Sequence, residues 1–273
     1  MTQLYPMQPA VDQWTRHAYM LFAIHEHFPR LQEALPHDGT LSIACYGPSL
    51  SETWPALQRP IVSVSGALKF LTDKGLVPDY HIAMDPRMDA VEHVTPAVNG
   101  VHYLMASVCH PKTWTVLLGQ RITLWHAVSH KGITAEWIEK NDPGQPIIHM
   151  GSHVGLGALH IGGMLGYRKF EIHGMDGSVR NNQRHAGPHP GKAQKHDINW
   201  YVHQVPYQTS KVMANGVQEV MSALENYPIL CVFHGHGLTQ ALVRKRQYLN
   251  ACCADETEKA DLLRTAVLEE VAA

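Results

Sequence analysis

The spacing of apolar residues changes near residue 40. Between residues 10 and 35, apolar side chains recur every three or four positions, which predicts a helix that breaks at Pro29 and ends by Pro36. From residue 41 onward, short apolar runs each end in small, polar or acidic residues. These runs are 41–46, 61–64, 80–84, 102–106, 122–125, 147–150, 170–173 and 229–233. They predict eight buried strands.

Helical segments separate several of these runs, notably 67–74, 154–165 and 210–226. Strands that alternate with helices predict an α/β fold of the Rossmann-like type, with a mainly parallel open sheet covered by helices on both faces. We predict an N-terminal helical segment (1–40), one Rossmann-like domain (41–237) and a C-terminal helical tail (238–273), so extra helices lie at both termini. The mixed charges of the tail indicate an element that packs against the domain or forms an oligomer contact. A homo-oligomer is therefore one of the alternatives.

Composition narrows the class of protein. The chain of 273 residues has a net charge of −2, which provides no overall field for binding a polyanion. The five cysteines include no C-x-x-C pair and indicate a reducing cytoplasm. Because no run of 18 apolar residues and no signal peptide is present, we expect a cytoplasmic protein without a membrane span. The 20 histidines are unusual and supply candidate bases and ligands.

Two strand-to-helix junctions are rich in glycine and serine. The first is Gly47-Pro48-Ser49, and the second contains Gly151, Ser152, His153 and Gly155. Glycine permits close approach of a ligand to the backbone, and the free N–H groups of a helix start favour an anion, so we predict that a nucleotide phosphate lies against them. Ser152 is placed at the expected N-cap. The alternatives are an ordinary turn for the first junction and close helix packing for the second.

Asp85 and Asp176 each follow an apolar run directly. We predict that both reach one mouth of the sheet as catalytic carboxylates. There they can hold Mg²⁺ against a di- or triphosphate, because this ion prefers oxygen ligands, or contact the hydroxyls of the acceptor. An Asx turn or a helix cap is the alternative for either carboxylate.

A basic segment, 177–196, follows Asp176 and has no apolar periodicity. It carries four cations and no acid, namely Arg180, Arg184, Lys192 and Lys195. Such a loop is typical of a lid over an anionic substrate, with a surface excursion as the alternative. The candidate acid/base histidines at the predicted mouth are His153, His185, His234 and His236, whereas His149 and His173 are interpreted as satisfied core residues.

Taken in order, several motifs resemble one family. They are Gly47-Pro48-Ser49-Leu50, the segment 75–80 followed by Asp85-Pro86, Gly151-Ser152-x-Val154-Gly155, and the segment 165–169 followed by Gly174-Met175-Asp176. Over residues 40 to 240 the chain resembles the DUF115-type family of archaeal 6-hydroxymethylpterin diphosphokinases and the motility-associated factors of flagellin glycosylation. It is more distantly similar to bacterial CMP-sialic-acid sialyltransferases. Cys45 stands where the family has its first glycine, and Ser65-Gly66 takes a place where sugar-transferring relatives often have Asn.

The resemblance implies a nucleotide-dependent transferase whose nucleotide contacts Ser65 and Gly66 as well as the two glycine junctions. The leading hypothesis is a glycosyltransferase that uses a nucleotide-activated sugar, with His185 as the catalytic base by its position after the Gly-x-Asp strand. An ATP- and Mg²⁺-dependent pyrophosphokinase and a non-catalytic nucleotide-binding module are the alternatives. The acceptor stays open among a glycan, a protein, a pterin and a modified nucleobase.

Overall fold

The computed structural model describes residues 10–128, 135–149, 151–189 and 198–252. Eight parallel strands form one sheet, and all eight predicted strands are confirmed. The ten strands are β1 (Thr40–Ala44), β2 (Ile61–Val64), β3 (Tyr80–Ala83), β4 (His102–Ala106), β5 (Arg121–Val128), β6 (Ile147–His149), β7 (Lys169–His173), β8 (Ile198–Val202), β9 (Val205–Thr209) and β10 (Leu230–His234).

The order of strands across the sheet is β10-β7-β1-β2-β3-β4-β5-β6. The chain runs from β1 outward to β6, then returns to place β7 on the other side of β1. The topology therefore reverses between β1 and β7. In open α/β sheets this reversal opens a crevice at the carboxyl ends of the strands, where ligands bind.

In the described part of the chain, eight α-helices connect or flank the strands. They are α1 (Gln13–His25), α2 (Leu50–Thr53), α3 (Ala67–Asp73), α4 (Pro111–Val116), α5 (Ala135–Asn141), α6 (Val154–Met164), α7 (Lys211–Asn226) and α8 (Leu238–Cys252), with 3-10 turns at Trp54–Ala56 and Met88–Val94. Helix α7 begins where the Ser210 hydroxyl accepts the Met213 N–H. The Rossmann-like class with extra helices at both ends is confirmed.

Both faces of the sheet are buried. On one face, Leu41 and Phe170 lie against Gly162 of α6, and they belong to the main apolar core. On the other face, Ala44 and Ile61 pack with Leu50 beneath α2 and α3. The near-continuous apolar strands thus reflect burial on two sides, as the sequence predicts.

Two elements differ from the sequence pattern, one near the N-terminus and one between β7 and α7. Helix α1 ends at His25, before Pro29, and the Leu31 N–H donates to the Leu124 carbonyl of β5 at 2.8 Å. The antiparallel hairpin β8–β9 was not predicted, and its buried Trp200 packs against α7 and α8. Beyond Cys252 the predicted tail lies outside the described residues. No helix within the described ranges is long and apolar enough to span a bilayer.

Candidate functional site

The loops after β1 and β7 are joined through Asp176. Its carboxylate, 4% exposed, accepts the Ser49 N–H at 2.8 Å and the Ser49 hydroxyl at 2.5 Å. The Gln240 amide donates to the same carboxylate at 3.1 Å. Burial raises the pKa of Asp176, although the hydrogen bonds from Ser49 and Gln240 oppose this shift. Asp176 therefore caps the start of α2 from within the protein.

The Gly47-Pro48-Ser49 loop is closed by these contacts. The Gly47 N–H donates to the Gly174 carbonyl at 2.8 Å, and a Cβ at Gly47 would collide with that carbonyl and with Asp176. The N–H groups of residues 49–52 also have acceptors inside the protein. The prediction that phosphates lie against the backbone of Gly47, Pro48 and Ser49 is not supported, because within residues 47–52 the protein itself takes up these donors.

A cavity of about 180 Å³ lies beside Asp176. Its wall includes Ser49, Asp176, Arg180, Tyr207 and His236. The predicted lid residue Arg180 forms an ion pair with Glu52 at 2.7 Å on the rim. The Asp176 pocket thus combines a buried carboxylate with an exposed histidine and a cation at its entrance.

The second glycine junction is filled by protein groups. The Ser152 N–H and hydroxyl both donate to the buried Glu219 carboxylate of α7 at 2.6 Å, and Gly151 lies against the same side chain. The predicted N-cap at Ser152 is wrong, because the His153 side chain accepts the Leu156 N–H instead. The Glu219 carboxylate thus occupies the position beside Ser152 that a phosphate would need.

Gly155, in the first turn of α6, serves close packing. A Cβ there would lie 2.9 Å from the Cys45 sulfur and 2.9 Å from the Met175 methyl. Burial raises the pKa of the Cys45 thiol, which points at α6 and not at the mouth of the sheet. The packing alternative therefore describes this junction.

A second group of side chains covers the carboxyl ends of β1, β2 and β3. Tyr46 stacks on His185 with ring centroids 5.3 Å apart, His185 stacks on His189 at 4.1 Å, and His93 lies 4.9 Å from His189. The three imidazoles are called here the histidine cluster (His93, His185 and His189). Two hydrogen bonds attach the basic segment to Tyr46. The Ala186 N–H donates to the Tyr46 carbonyl, and the Tyr46 hydroxyl donates to the Pro188 carbonyl. The described part of the predicted lid thus lies across the mouth.

The predicted residues Ser65 and Gly66 face this cluster. The Ser65 hydroxyl lies 3.3 Å from His93 Nε2, and Ser65 has a φ of 52°, a left-handed conformation that costs free energy in a non-glycine residue. A Cβ at Gly66 would collide with the Tyr46 ring. Strained backbone conformations such as that of Ser65 cluster at active and ligand sites.

Positive charge and desolvated imidazoles meet at this mouth. Burial lowers the pKa of His185 to about 3, with His189 and Arg184 adding to the effect, and lowers that of His93 to about 4. Arg184 is half-buried, and burial together with Arg87 lowers its pKa. The Nε2 atom of His185 has no hydrogen-bond partner among the described residues. An anion here would relieve the repulsion between the arginines and favour the protonated imidazoles.

The structure does not bring Asp85 and Asp176 together. Strands β3 and β7 are three positions apart, which corresponds to about 14 Å. The Asp85 carboxylate accepts the Arg87 N–H at 2.9 Å and pairs with its guanidinium at 2.5 Å, as an Asx turn does. The two carboxylates therefore do not fit the shared magnesium site that the sequence predicts. Lys192 and Lys195 lie outside the described residues.

Sequence inspection missed several residues of the two sites and of the second glycine junction. They are Tyr46, Arg87, His93, His189, Glu219 and Gln240. For Tyr46 and Arg87, the positions next to Gly47 and Asp85 were available signals. For Gln240 and Glu219, which reach the sites from helices α8 and α7, the sequence offers no local signal.

Two comparisons with known proteins show what this chain is similar to. The family model described as "6-hydroxymethylpterin diphosphokinase MptE-like" matches residues 16–182, more than half of the chain. The solved structure of the MAf glycosyltransferase from Magnetospirillum magneticum AMB-1 is similar with a TM-score of 0.60 and 12% identity, over 96% of this chain and 43% of that chain. This chain thus spans less than half of that protein, and the likeness shows the fold alone. No curated protein matches the chain.

Proposed function

Because the chain belongs to the 6-hydroxymethylpterin diphosphokinase MptE-like family, we propose that it is a nucleotide-dependent transferase. In this proposal the phosphates of the nucleotide lie between Arg87, Arg184 and the histidine cluster. Both the family name and the similar fold of a glycosyltransferase support a transferase. The location agrees with the rule that open α/β sheets bind ligands outside the carboxyl ends of their strands.

The observation that carries the proposal is the position of Arg184 and His185 at this mouth. Burial and the neighbouring Arg87 lower the pKa of Arg184, and the buried Nε2 atom of His185 has no hydrogen-bond partner among the described residues. A phosphate beside the two arginines would supply negative charge and acceptors, and charge-assisted hydrogen bonds to arginine are stronger than neutral ones. The closed loop at Gly47–Ser49 makes this mouth the better phosphate site.

Glycosyl transfer from a nucleotide-activated sugar is the leading reaction. The similar fold of a glycosyltransferase supports it, and so does a site in which side-chain cations face the phosphates. His185 is the proposed base. Its pKa of about 3 keeps the imidazole neutral at neutral pH, and a bound phosphate would raise that pKa toward the range that efficient proton transfer needs.

Pyrophosphate transfer from ATP is the second candidate, supported by the family's name and by the carboxylates of Asp85 and Asp89 beside Arg87. Mg²⁺ is the metal that this reaction implies. Because the Asp176 carboxylate accepts hydrogen bonds from Ser49 and Gln240, Asp85 and Asp176 do not fit a shared Mg²⁺ site. A nucleotide-binding module without catalysis is the third candidate.

A nucleotide panel distinguishes the three candidates. The chain of 273 residues is incubated with CMP- and UDP-sugars and with ATP, with and without Mg²⁺, and in each case with a glycan, a protein, a pterin or a modified nucleobase as the acceptor; the thermal shift and the released nucleotide are measured. A shift with a nucleotide sugar and release of CMP or UDP supports glycosyl transfer. An Mg²⁺-dependent shift with ATP and release of AMP supports pyrophosphate transfer. Binding without released nucleotide supports the module, and no binding to any member of the panel contradicts the proposal.

Two neighbouring variants separate binding from chemistry. Arg184→Ala is expected to weaken nucleotide binding, whereas His185→Ala is expected mainly to slow turnover while the dissociation constant changes little. Both measurements are needed, because a general loss of structure would change the two quantities together. Wild-type turnover in His185→Ala would move the base to His153, His234 or His236.

A further inference from the structure

Three potential metal ligands lie together on β7 and the edge strand β10. Glu171 and His173 are two residues apart on β7 and therefore share one face of the sheet. His234 pairs in register with His173 across the two parallel strands. One donor atom from each side chain lies within 4.8 Å of the other two. This face is covered by the segment around Thr53, on the side of the sheet away from α6.

The chemistry of His173 points to a ligand. Its side chain is 0% exposed, and among the described residues neither ring nitrogen has a hydrogen-bond partner; the same holds for Nε2 of His234. Buried imidazole nitrogens are normally paired. His173 is therefore a core residue, as the sequence predicts, but its ring nitrogens lack the hydrogen-bond partners expected of a satisfied one. The ring instead stacks on His234 with centroids 4.2 Å apart.

We propose that Glu171, His173 and His234 bind a divalent transition metal ion of the zinc class. Two imidazoles and one carboxylate are a ligand set that such ions prefer, whereas Mg²⁺ and Ca²⁺ prefer oxygen ligands alone. Ligand atoms around tetrahedral zinc lie about 3.3 Å apart. Small rotations of the three side chains would bring their donor atoms from the present separations to this distance. The proposal does not rest on the proposed function.

The ion would fix the edge of the sheet next to the Asp176 pocket. Among the described strands, β10 pairs with β7 alone, and it exposes Leu230 and Val232. The Gln240 amide donates both to the His234 carbonyl at 3.0 Å and to Asp176 at 3.1 Å. A metal bound by β7 and β10 would therefore hold the turn that carries His236 into the pocket wall.

Zinc itself is the probe for the test. The full-length protein is stripped with a chelator and titrated with Zn²⁺ by calorimetry, and bound zinc is counted by mass spectrometry after dialysis. We expect one tight site per chain in the wild type. Glu171→Gln and His234→Gln should each weaken it at least tenfold, since even outer partners of metal ligands cost 10- to 100-fold. His185→Gln is the matched control and should retain the site.

Three results would overturn the proposal: no tight site in the wild type, unchanged affinity in both variants, or loss of the site in His185→Gln alone, which would place the ion in the histidine cluster. Circular dichroism of the metal-free variants checks that they fold. If they do not, Co²⁺ is titrated into folded His185→Gln protein. Ligand-field absorption that saturates at one equivalent and is displaced by Zn²⁺ supports the site, and its absence contradicts it.

Discussion

The Asp176 carboxylate accepts both the backbone N–H and the hydroxyl of Ser49, 127 residues earlier in the chain. This pair joins the two loops at the point where the strand order reverses. An anion would bind the start of a helix at this position in many open α/β proteins. Here a side chain of the protein is that anion, so the loop is a structural joint, and we propose that the ligand binds nearer to β2 and β3.

Asp176→Asn should therefore destabilise the fold by about 1–3 kcal/mol. An amide offers one acceptor atom where the carboxylate offers two, so an NH₂ group would face a donor of Ser49 or Gln240. Denaturant unfolding measures the difference. Asp73→Asn, at an exposed ion pair with Lys69, is the control and should change stability by less than about 0.5 kcal/mol. Equal effects of the two variants would contradict the assigned role.

Two adjacent glycines of α6 should respond in opposite directions. A Cβ at Gly162 would lie 2.6 Å from Phe170 and 2.9 Å from Leu41, whereas at Gly163 the nearest atom is 3.9 Å away. Gly163→Ala should stabilise the protein by about 0.5–1 kcal/mol through helix propensity. Gly162→Ala should destabilise it by about 1–3 kcal/mol through overpacking. Thermal or denaturant unfolding of both variants tests the packing, and a shared sign would refute it.

Arg87→Ala tests the proposed phosphate site. Loss of one charge-assisted hydrogen bond, worth about 1.5–3 kcal/mol, should weaken nucleotide binding by about 10- to 100-fold in calorimetry. Arg121→Ala removes the same charge at the first residue of β5, on the amino end of the sheet, and should leave the affinity unchanged. Equal losses in both variants would indicate a general electrostatic effect in place of a local site.

The buried His81 should make stability depend on pH. Burial lowers its pKa from 6.5 to about 3 in the folded protein, with His93 adding to the effect. The unfolded chain therefore binds this proton at higher pH than the folded chain, and the stabilising contribution, complete above pH 6.5, is lost as the pH falls toward 3.

As the pH falls from 6.5 to about 3, His81 lowers the free energy of unfolding by up to about 1.4 kcal/mol per pH unit. Unfolding by urea at several pH values measures the slope. His81→Gln should make it shallower, while His25→Gln, an exposed residue of α1, should not. An unchanged slope in His81→Gln would show that other groups control the acid sensitivity.

The local sequence determined the strands of the eight-stranded sheet. Apolar runs that end in small or acidic residues predicted all eight strands of the sheet, because strands buried on both faces must be apolar whatever their neighbours are. The same pattern placed the chemistry at the carboxyl ends, since the side chains that follow parallel strands share one edge of the sheet. The family motifs follow the same strands and likewise indicated the Rossmann-like class.

Only the tertiary structure decided which of these groups meet. The distance between Asp85 and Asp176 depends on β7 lying beside β1, and the pairing of His173 with His234 depends on the register of β10. Neither strand order nor register is encoded in the residues next to those side chains. The Ser152 hydroxyl bonds Glu219 because α7 packs there. Long-range packing, which no local pattern specifies, thus distinguishes helix caps and joints from candidate ligand sites.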